Sequence, residues 1–458
     1  MIFTTNWLSE IFTDNQGNVQ DSKEINEVST DSRSKADNSL FIPLVGENFD
    51  GHQFSEQAVE NGAGALIWDK SKKVPDSLPE DFPIFFVADT LNALQELAAN
   101  YRNEINPIVV GVTGSNGKTT TKDLITTVVK TTYRTHYTNG NFNNHIGLPL
   151  TILSMDRETE VLILEMGMSN FGEIDLLSKI ARPDYAIITN IGESHIEFLG
   201  SREGIAKAKL EIVNGMKEDG VLIVDGDEAL LQNLQFPQKI IKNGFLKTND
   251  NVLSNVSITP KETVFKLSDE LTYKVPLLGK HHAKNASFAL TIGEQLNIPP
   301  ETSNDALQNL ELTGMRFELI KGKHDASIIN DAYNASPTSM IASIEVVKQL
   351  SGFKQKVLVL GDILELGDHA EQLHRSIAEA ITPPITALFT FGDKAEIICE
   401  EVDKTESSIE CSHFTSKEEL AESLHSYLTK DTLLLFKASR GLKFETIIED
   451  IQNLTEEN

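Results

Sequence analysis

Ile108-Val-Val-Gly111-Val-Thr-Gly114-Ser-Asn-Gly117-Lys118-Thr119-Thr-Thr121 is the stretch on which the reading of this chain turns. An apolar run leads into three glycines and a lysine, and threonines then open a helical pattern with Leu124, Ile125, Val128 and Val129 on one side. Glycines let backbone N–H groups turn toward a common centre, and a helix N-terminus adds positive potential. The stretch therefore reads as a polyphosphate cradle. Gly114, Ser115, Asn116, Gly117 and Thr120 would wrap the phosphates of ATP, Lys118 would reach the β- and γ-phosphates, and the Thr119 hydroxyl would hold Mg²⁺. Five residues separate Gly111 from Gly117, one more than the strict pattern allows. The competing reading is a glycine-rich strand-to-helix turn with a surface lysine. Strand, glycines, lysine, threonine and helix in that order favour the cradle.

The fold spreads from this loop in both directions. Apolar runs at Ile108–Val110, Val161–Leu164, Tyr185–Thr189 and Val221–Val224 alternate with helical segments. That alternation marks parallel βαβ units whose strands are buried on both faces. A more polar stretch, 243–275, reads as a β excursion, and a helix is expected from His282 to Leu296, before Pro299-Pro300. Beyond Gly314 a second series begins, with strands at Ser327–Asn330, Lys356–Leu360, Ala387–Phe391 and Leu433–Phe436 and helices near 338–350, 369–381 and 417–429. It carries no GxGxxG, so nothing in it asks for a nicotinamide cofactor. Ahead of the loop, Leu91 to Tyr101 has helical spacing, 102–107 reads as a linker, and short strands fit Leu40–Ile42 and Ala65–Trp68. The expected protein is α/β with three domains. These are a small α/β N-terminal domain over 1–103, a central P-loop-type parallel-sheet ATPase domain over 104–313, and a Rossmann-like C-terminal domain over 314–458.

Composition agrees with this division, since 458 residues suit three domains of about 150 each. The net charge of −28 disfavours non-specific binding to nucleic acid or to an anionic membrane surface. An anionic substrate in a local basic pocket remains compatible with it. No apolar run approaches the roughly 18 residues of a membrane span, and the first 22 residues lack the Lys or Arg of a secretory signal. Cys399 and Cys411, the only cysteines, give no disulfide framework and no cysteine-based zinc site. A cytoplasmic, monomeric enzyme is the expectation.

A phosphate loop needs metal-binding acids at neighbouring strand ends. The run Val161–Leu164 delivers Glu165 to the carboxyl edge of a buried strand, where open α/β sheets bind ligands. A buried glutamate is costly unless it is paired or holds a metal. The next strand leads to Asn190, Glu193 and His195 at the same edge. His195 alone would read as a structural loop histidine, and its place after those two strands makes it a candidate ligand. Counting about 100° per residue from Ile205, Lys209 falls roughly 40° away, inside the apolar stripe of its helix, while Lys207 falls near 200°. Lys209 either snorkels, with its amine in water, or has a lowered pKa and a neutral amine that could take up CO₂ as a metal-binding carbamate. Helical geometry leaves both open.

The loop together with Glu165-Met-Gly, Asn190-Ile-Gly-Glu-Ser-His195 and Ala206-Lys-Ala-Lys209-Leu-Glu resembles the Mur ligases. These are ATP-dependent amide-forming enzymes that build the peptide of bacterial peptidoglycan precursors. The resemblance covers nearly the whole chain. Ser29-Thr-Asp-Ser32-Arg33 looks like the family's uridine-diphosphate-binding stretch, and Gly279-Lys-His281-His-Ala-Lys-Asn285 like its second nucleotide motif. Arg316, Asp331-Ala-Tyr-Asn334-Ala-Ser-Pro337 and Lys437-Ala-Ser-Arg440 look like its C-terminal motifs. One departure is Ala438, where the family commonly has glycine. Asp331–Pro337 and Gly361-Asp-Ile-Leu-Glu365-Leu-Gly367 look most like the member that adds a D-alanyl-D-alanine dipeptide. No Asp-Asn-Pro-Arg segment, typical of the member that adds the third-residue diamino acid, occurs.

The resemblance implies that ATP phosphorylates the terminal carboxylate of UDP-N-acetylmuramoyl-tripeptide and that the amine of D-alanyl-D-alanine attacks the acyl phosphate. It implies two Mg²⁺ ions, one at Thr119 and Glu165, the other at Glu165, His195 and carbamylated Lys209. Asn285 would contact adenine, and Arg316 and Asp331 would reach the nucleotide from across the cleft, with Gly314 near the hinge. Ser32 and Arg33 would face the uridine diphosphate, although a turn with a surface arginine fits the same residues. Asn141, Asn143 and Asn144 would bind the substrate's pyrophosphate or sugar, or only shape a loop. Asn334 would also meet substrate. Asp362, Glu365 and Leu366 would select the dipeptide, or else their acids would only favour a helix N-terminus. The rivals are the sister ligase for the diamino acid, a folate polyglutamate-type ligase, and a switch that hydrolyses ATP without a second substrate.

Overall fold

The computed structural model describes residues 1–35, 37–259, 261–268, 271–310, 314–405 and 408–453. Among them, besides the short pair Phe3–Thr4 with Glu24–Ile25, three larger sheets of five, nine and six strands succeed one another along the chain. The nine-stranded sheet is central. Its parallel core places Ile108–Thr113 between Val161–Glu165 on one side and Tyr185–Ile188 on the other, followed outward by Val221–Asp225 and Lys239–Gly244. Asn251–Ile258, Thr263–Leu267 and Thr272–Val275 extend the edge, the last two pairings being antiparallel. This is the β excursion expected from 243–275.

The apolar runs are continuous because alternate side chains enter two different cores. In Val161–Glu165, Leu162 and Leu164 join one cluster while Val161 and Ile163 join another, and Val221–Asp225 divides in the same way. Each such side chain contributes roughly 1.5–3 kcal/mol when fully buried. A polar residue inside the run would therefore be costly, so Glu165, 3% exposed at the end of its strand, marks a site.

The six-stranded sheet runs Glu318–Lys321, Ser327–Asn330, Thr432–Lys437, Gln355–Gly361, Ala387–Phe391, Glu410–Phe414, all parallel except the first pair. The expected strands are present; Glu318–Lys321 and Glu410–Phe414, rich in polar residues, were not foreseen. The boundary placed between 313 and 314 lies against 311–313, outside the described residues.

Two expectations are corrected. The segment 102–107 is not a linker, because the helix Thr90–Ile105 runs through it and stops only where Asn106 turns left-handed. Arg102, polar in the sequence, is 5% exposed and spends its guanidinium on the Ile180 carbonyl at 3.2 and 3.1 Å. Its burial lowers its pKa to about 10. With Tyr101 donating to the Met155 carbonyl at 2.9 Å, this helix seats the N-terminal sheet on the central one. The cysteines are also not independent: Cys399 on Glu396–Asp403 and Cys411 on Glu410–Phe414 form a disulfide, because helix and strand pack with those Cα atoms 5.7 Å apart. A cysteine count could not show that pairing.

Candidate active site

The cradle forms as its glycines require. Gly114 and Gly117 have φ of 149° and 77°, and a Cβ on either would meet the Thr189 hydroxyl or the Asn285 amide. Asn190 holds the loop tip from the adjacent strand end, accepting the Asn116 N–H at 2.9 Å and donating to the Asn116 carbonyl at 2.9 Å. Helix Lys118–Val129 begins directly behind Gly117. The Lys118 ammonium folds back on the Gly114 carbonyl at 2.9 Å. Desolvation lowers its pKa, and the Glu165 carboxylate opposes that shift.

Thr119 and Glu165 meet as the sequence suggested. The threonine hydroxyl donates to Glu165 Oε2 at 2.7 Å, and the Asn143 amide donates to Oε1 at 2.7 Å. Oxygen donors of this kind suit Mg²⁺, which takes few protein ligands and keeps room for phosphate oxygens. Among the described residues, no three-residue cluster of His, Cys, Asp or Glu includes Glu165 or His195. Lys209 lies behind this edge, 2% exposed, while Lys207 is exposed. Its pKa is driven well below 10.5, by burial first and by the charge of Lys118 second. Its 2% exposure speaks against snorkelling.

A cavity of about 680 Å³ opens at this edge. Ser115 to Thr120, Glu165, His195 and Asn285 line one side, and Arg316, Asp331 and Asn334 line the other. Asn141, Asn143 and Asn144 also reach it, although the Asn144 carboxamide oxygen is occupied by the N–H groups of Ile146 and Gly147 at 3.1 and 2.8 Å. Across the cavity, Asp331 accepts from the Lys437 ammonium at 2.6 Å and from the Ser343 hydroxyl at 2.7 Å. The Arg316 guanidinium stacks on Tyr333 at 4.0 Å.

The remaining expected residues lie outside. Ser32 donates to Gln57 at 2.9 Å, and exposed Arg33 pairs with Asp31 at 2.7 Å, so in this arrangement Asp31–Arg33 is a turn with a surface arginine. Asp362, Glu365 and Leu366 are not on the cavity wall either. Leu366 is 1% exposed. Asp362 is turned inward, accepting the N–H groups of Asp393, Lys394 and Ala395 at 2.9, 2.9 and 2.7 Å.

Sequence reasoning missed the contacts that join the two walls. Ser336 donates to the Asn116 side chain at 2.9 Å, and the Thr338 hydroxyl donates to Glu193 at 2.5 Å. Their signal was the Ser-Pro pair before an apolar periodic run, which caps helix Pro337–Gln349 and aims its first turn at the phosphate loop. Thr138 was also missed: its hydroxyl accepts the Glu165 N–H at 3.0 Å, while its carbonyl accepts the Lys122 ammonium at 3.0 Å.

Three family models match the chain in succession: the Mur ligase family catalytic domain over 24–102, the Mur ligase middle domain over 112–293, and the Mur ligase glutamate ligase domain over 315–440. The chain belongs to the Mur ligase family. It is 52% identical, over 93% of each chain, to the UDP-N-acetylmuramoyl-tripeptide--D-alanyl-D-alanine ligase of Bacillus subtilis (strain 168). Among solved structures it is similar to the UDP-N-acetylmuramoylalanyl-D-glutamyl-2,6-diaminopimelate--D-alanyl-D-alanyl ligase of Acinetobacter baumannii, with a TM-score of 0.84, 29% identity and coverage of 99% and 98%. The MurF ligase of Thermotoga maritima in complex with ADP gives 0.82 and 30%, covering 93% and 97%.

Proposed function

We propose that this chain joins D-alanyl-D-alanine to UDP-N-acetylmuramoyl-tripeptide at the expense of ATP. The products are the UDP-linked pentapeptide precursor of peptidoglycan, ADP and phosphate. The observation that carries the chemistry is the single cavity walled by the phosphate loop on one side and by Arg316, Asp331 and Asn334 on the other. The likeness to the Bacillus subtilis ligase supports the substrate pair.

In the first step a carboxylate oxygen of the tripeptide attacks the γ-phosphorus, and the bond to ADP breaks. Two anions must approach, so the demand is electrostatic. Lys118, turned from the Gly114 carbonyl, and Arg316 from the facing wall supply fixed positive charge. Thr119 with Glu165, and Glu165 with His195 and Lys209, are the residues that would hold Mg²⁺, which supplies the remaining neutralisation. Lys209 suits this role as a carbamate: its neutral amine adds to CO₂ with loss of a proton and becomes an oxygen ligand. In the second step the dipeptide amine attacks the acyl carbon, loses its proton, and phosphate leaves. Asn285 faces the nucleotide base beside Gly117, and Asn141, Asn143, Asn144 and Asn334 meet the peptide substrate and its pyrophosphate. Ser32 and Arg33 bind the uridine diphosphate only if the Asp31–Arg33 pair opens. The reaction takes place in the cytoplasm, by a monomer whose domains divide near 103 and 313. Among the described residues, no helix is long and apolar enough to cross a membrane.

Phosphate release from ATP, measured with UDP-N-acetylmuramoyl-tripeptide and either D-alanyl-D-alanine or single amino acids, tests the reading. Release is expected to require both substrates and to prefer the dipeptide. Turnover without any amine would replace the ligase with an ATP-driven switch, and preference for a free diamino acid would move the chain one step earlier in the series. Lys209→Ala is expected to be inactive and to regain activity with short carboxylic acids, and failure of that rescue would remove the carbamate.

A further inference from the structure

The loop Gly361–Gly367 follows a buried strand of the C-terminal sheet, and its three conspicuous side chains go three ways. Asp362 points inward onto 393–395, Leu366 is buried, and Glu365 alone leaves its own domain. Its Oε2 lies 2.5 Å from Nδ1 of His195, the central-domain residue on the cavity wall. The approach is close but off the hydrogen-bond direction, as in catalytic pairs that align only when the site is loaded. The backbone supports the same meeting: the Glu365 carbonyl accepts the Glu197 N–H at 3.3 Å, and Gly367 lies against the Glu197 side chain. Glu365 and His195 have φ of 62° and 64°, a conformation that L side chains hold only where the surroundings impose it.

Those surroundings are visible. Ser439 accepts the Leu364 N–H on its hydroxyl at 2.9 Å and donates its own N–H to the Asp362 carbonyl at 3.1 Å. The Ile363 N–H is held by His374 Nε2 at 3.0 Å. The loop is clamped on both flanks and presents one carboxylate across the domain junction.

We propose that Glu365 is a positioning residue for the ligase reaction, holding the His195 ring through Nδ1 so that Nε2 is the nitrogen offered to the cavity. A carboxylate on one imidazole nitrogen fixes the tautomer and raises the basicity of the other. Because Glu365 comes from the C-terminal domain, the ring is fixed only while that domain is docked through Ser336 and Thr338. The proposal rests on the reading of His195 as a ligand in the ATP-dependent ligase, and it takes Glu365 out of dipeptide selection.

The test uses the full chain with Glu365→Leu, which keeps bulk and removes the acceptor, and Glu365→Gln, which keeps a carbonyl oxygen for Nδ1–H. Mn²⁺ binding is titrated in the presence of a non-hydrolysable ATP analogue, alongside kcat and KM for each substrate. E365L is expected to weaken Mn²⁺ binding about ten- to a hundredfold and to lower kcat, with KM for the dipeptide unchanged. E365Q recovers most of both, and Glu365→Leu added to His195→Ala costs nothing further. A rise in dipeptide KM with unchanged Mn²⁺ binding, or no change in either, overturns the proposal. If wild-type enzyme forms no amide in the same assay, the ligase reading fails separately, because the Mn²⁺ titration still reports on His195.

Discussion

Two loops of this molecule leave the carboxyl ends of buried parallel strands, one after Ile108–Thr113 and one after Gln355–Gly361. Both contain glycines, both carry charged side chains, and both stand where open α/β sheets bind ligands. They use their polar groups differently. In the first, Lys118 leans on a carbonyl it can leave, and Thr119 and Glu165 hold each other at the cavity wall. In the second, Asp362 is committed to three backbone N–H groups and only Glu365 reaches out. Position at a sheet edge makes a loop a candidate. Whether its charges remain available decides if it binds substrate or holds something else in place.

The contrast can be broken most forcefully at Lys118. Lys118→Met should cost about 10²–10³-fold in kcat, the loss expected on removing one preorganised charge contact, with the circular dichroism spectrum unchanged. A loss of fold instead would make Lys118 structural. At Asp362 the reverse should hold: Asp362→Ala should lower stability by about 2–3 kcal/mol, the penalty of stranding buried donors, as read by urea unfolding, with dipeptide preference intact. A changed preference and unchanged stability would return Asp362 to the substrate. Gly114→Ala should cost about 1–3 kcal/mol through its left-handed backbone and should abolish nucleotide binding in a fluorescent-analogue titration. The smallest effect is a pH slope. Burial pushes His374 below its ordinary 6.5, so the folded loop binds neutral imidazole at Ile363 N–H while the unfolded chain takes up the proton first. Its stabilisation is complete above pH 6.5 and declines as the pH falls below it. The gap in thermal midpoint between wild type and His374→Gln should be constant above that pH and shrink below it, and a gap that stays constant throughout would exclude the effect.

Much of the first loop was legible in the sequence because its chemistry is local. Gly114 to Thr120 lie within one strand-to-helix turn, and the four apolar residues of the strand before Glu165 announce a buried acid. Lys209 was legible through helical periodicity, which put it among apolar residues before its burial was known. The second loop was legible only as a resemblance. What Asp362 binds is about thirty residues away and all backbone, which leaves no trace in side-chain identity. The Glu365–His195 meeting spans two domains, and no periodicity reports on such a distance. Residues 102–107 misled for another reason: their Asn and Pro punctuate like a linker, whereas Arg102 is buried against the Ile180 carbonyl.

The seam between the two cavity walls has a consequence for timing. Ser336–Asn116, Thr338–Glu193 and Glu197–Glu365 are hydrogen bonds across it, each contributing on the order of 0.5–3 kcal/mol net. Polar links of that size are expected to break readily, so parting the walls to admit bulky reactants should need no outside work. By the same reasoning, a nucleotide that arrives while the walls are parted would meet Lys118 without Arg316, and its terminal phosphate would lack the full set of charges that promotes its transfer.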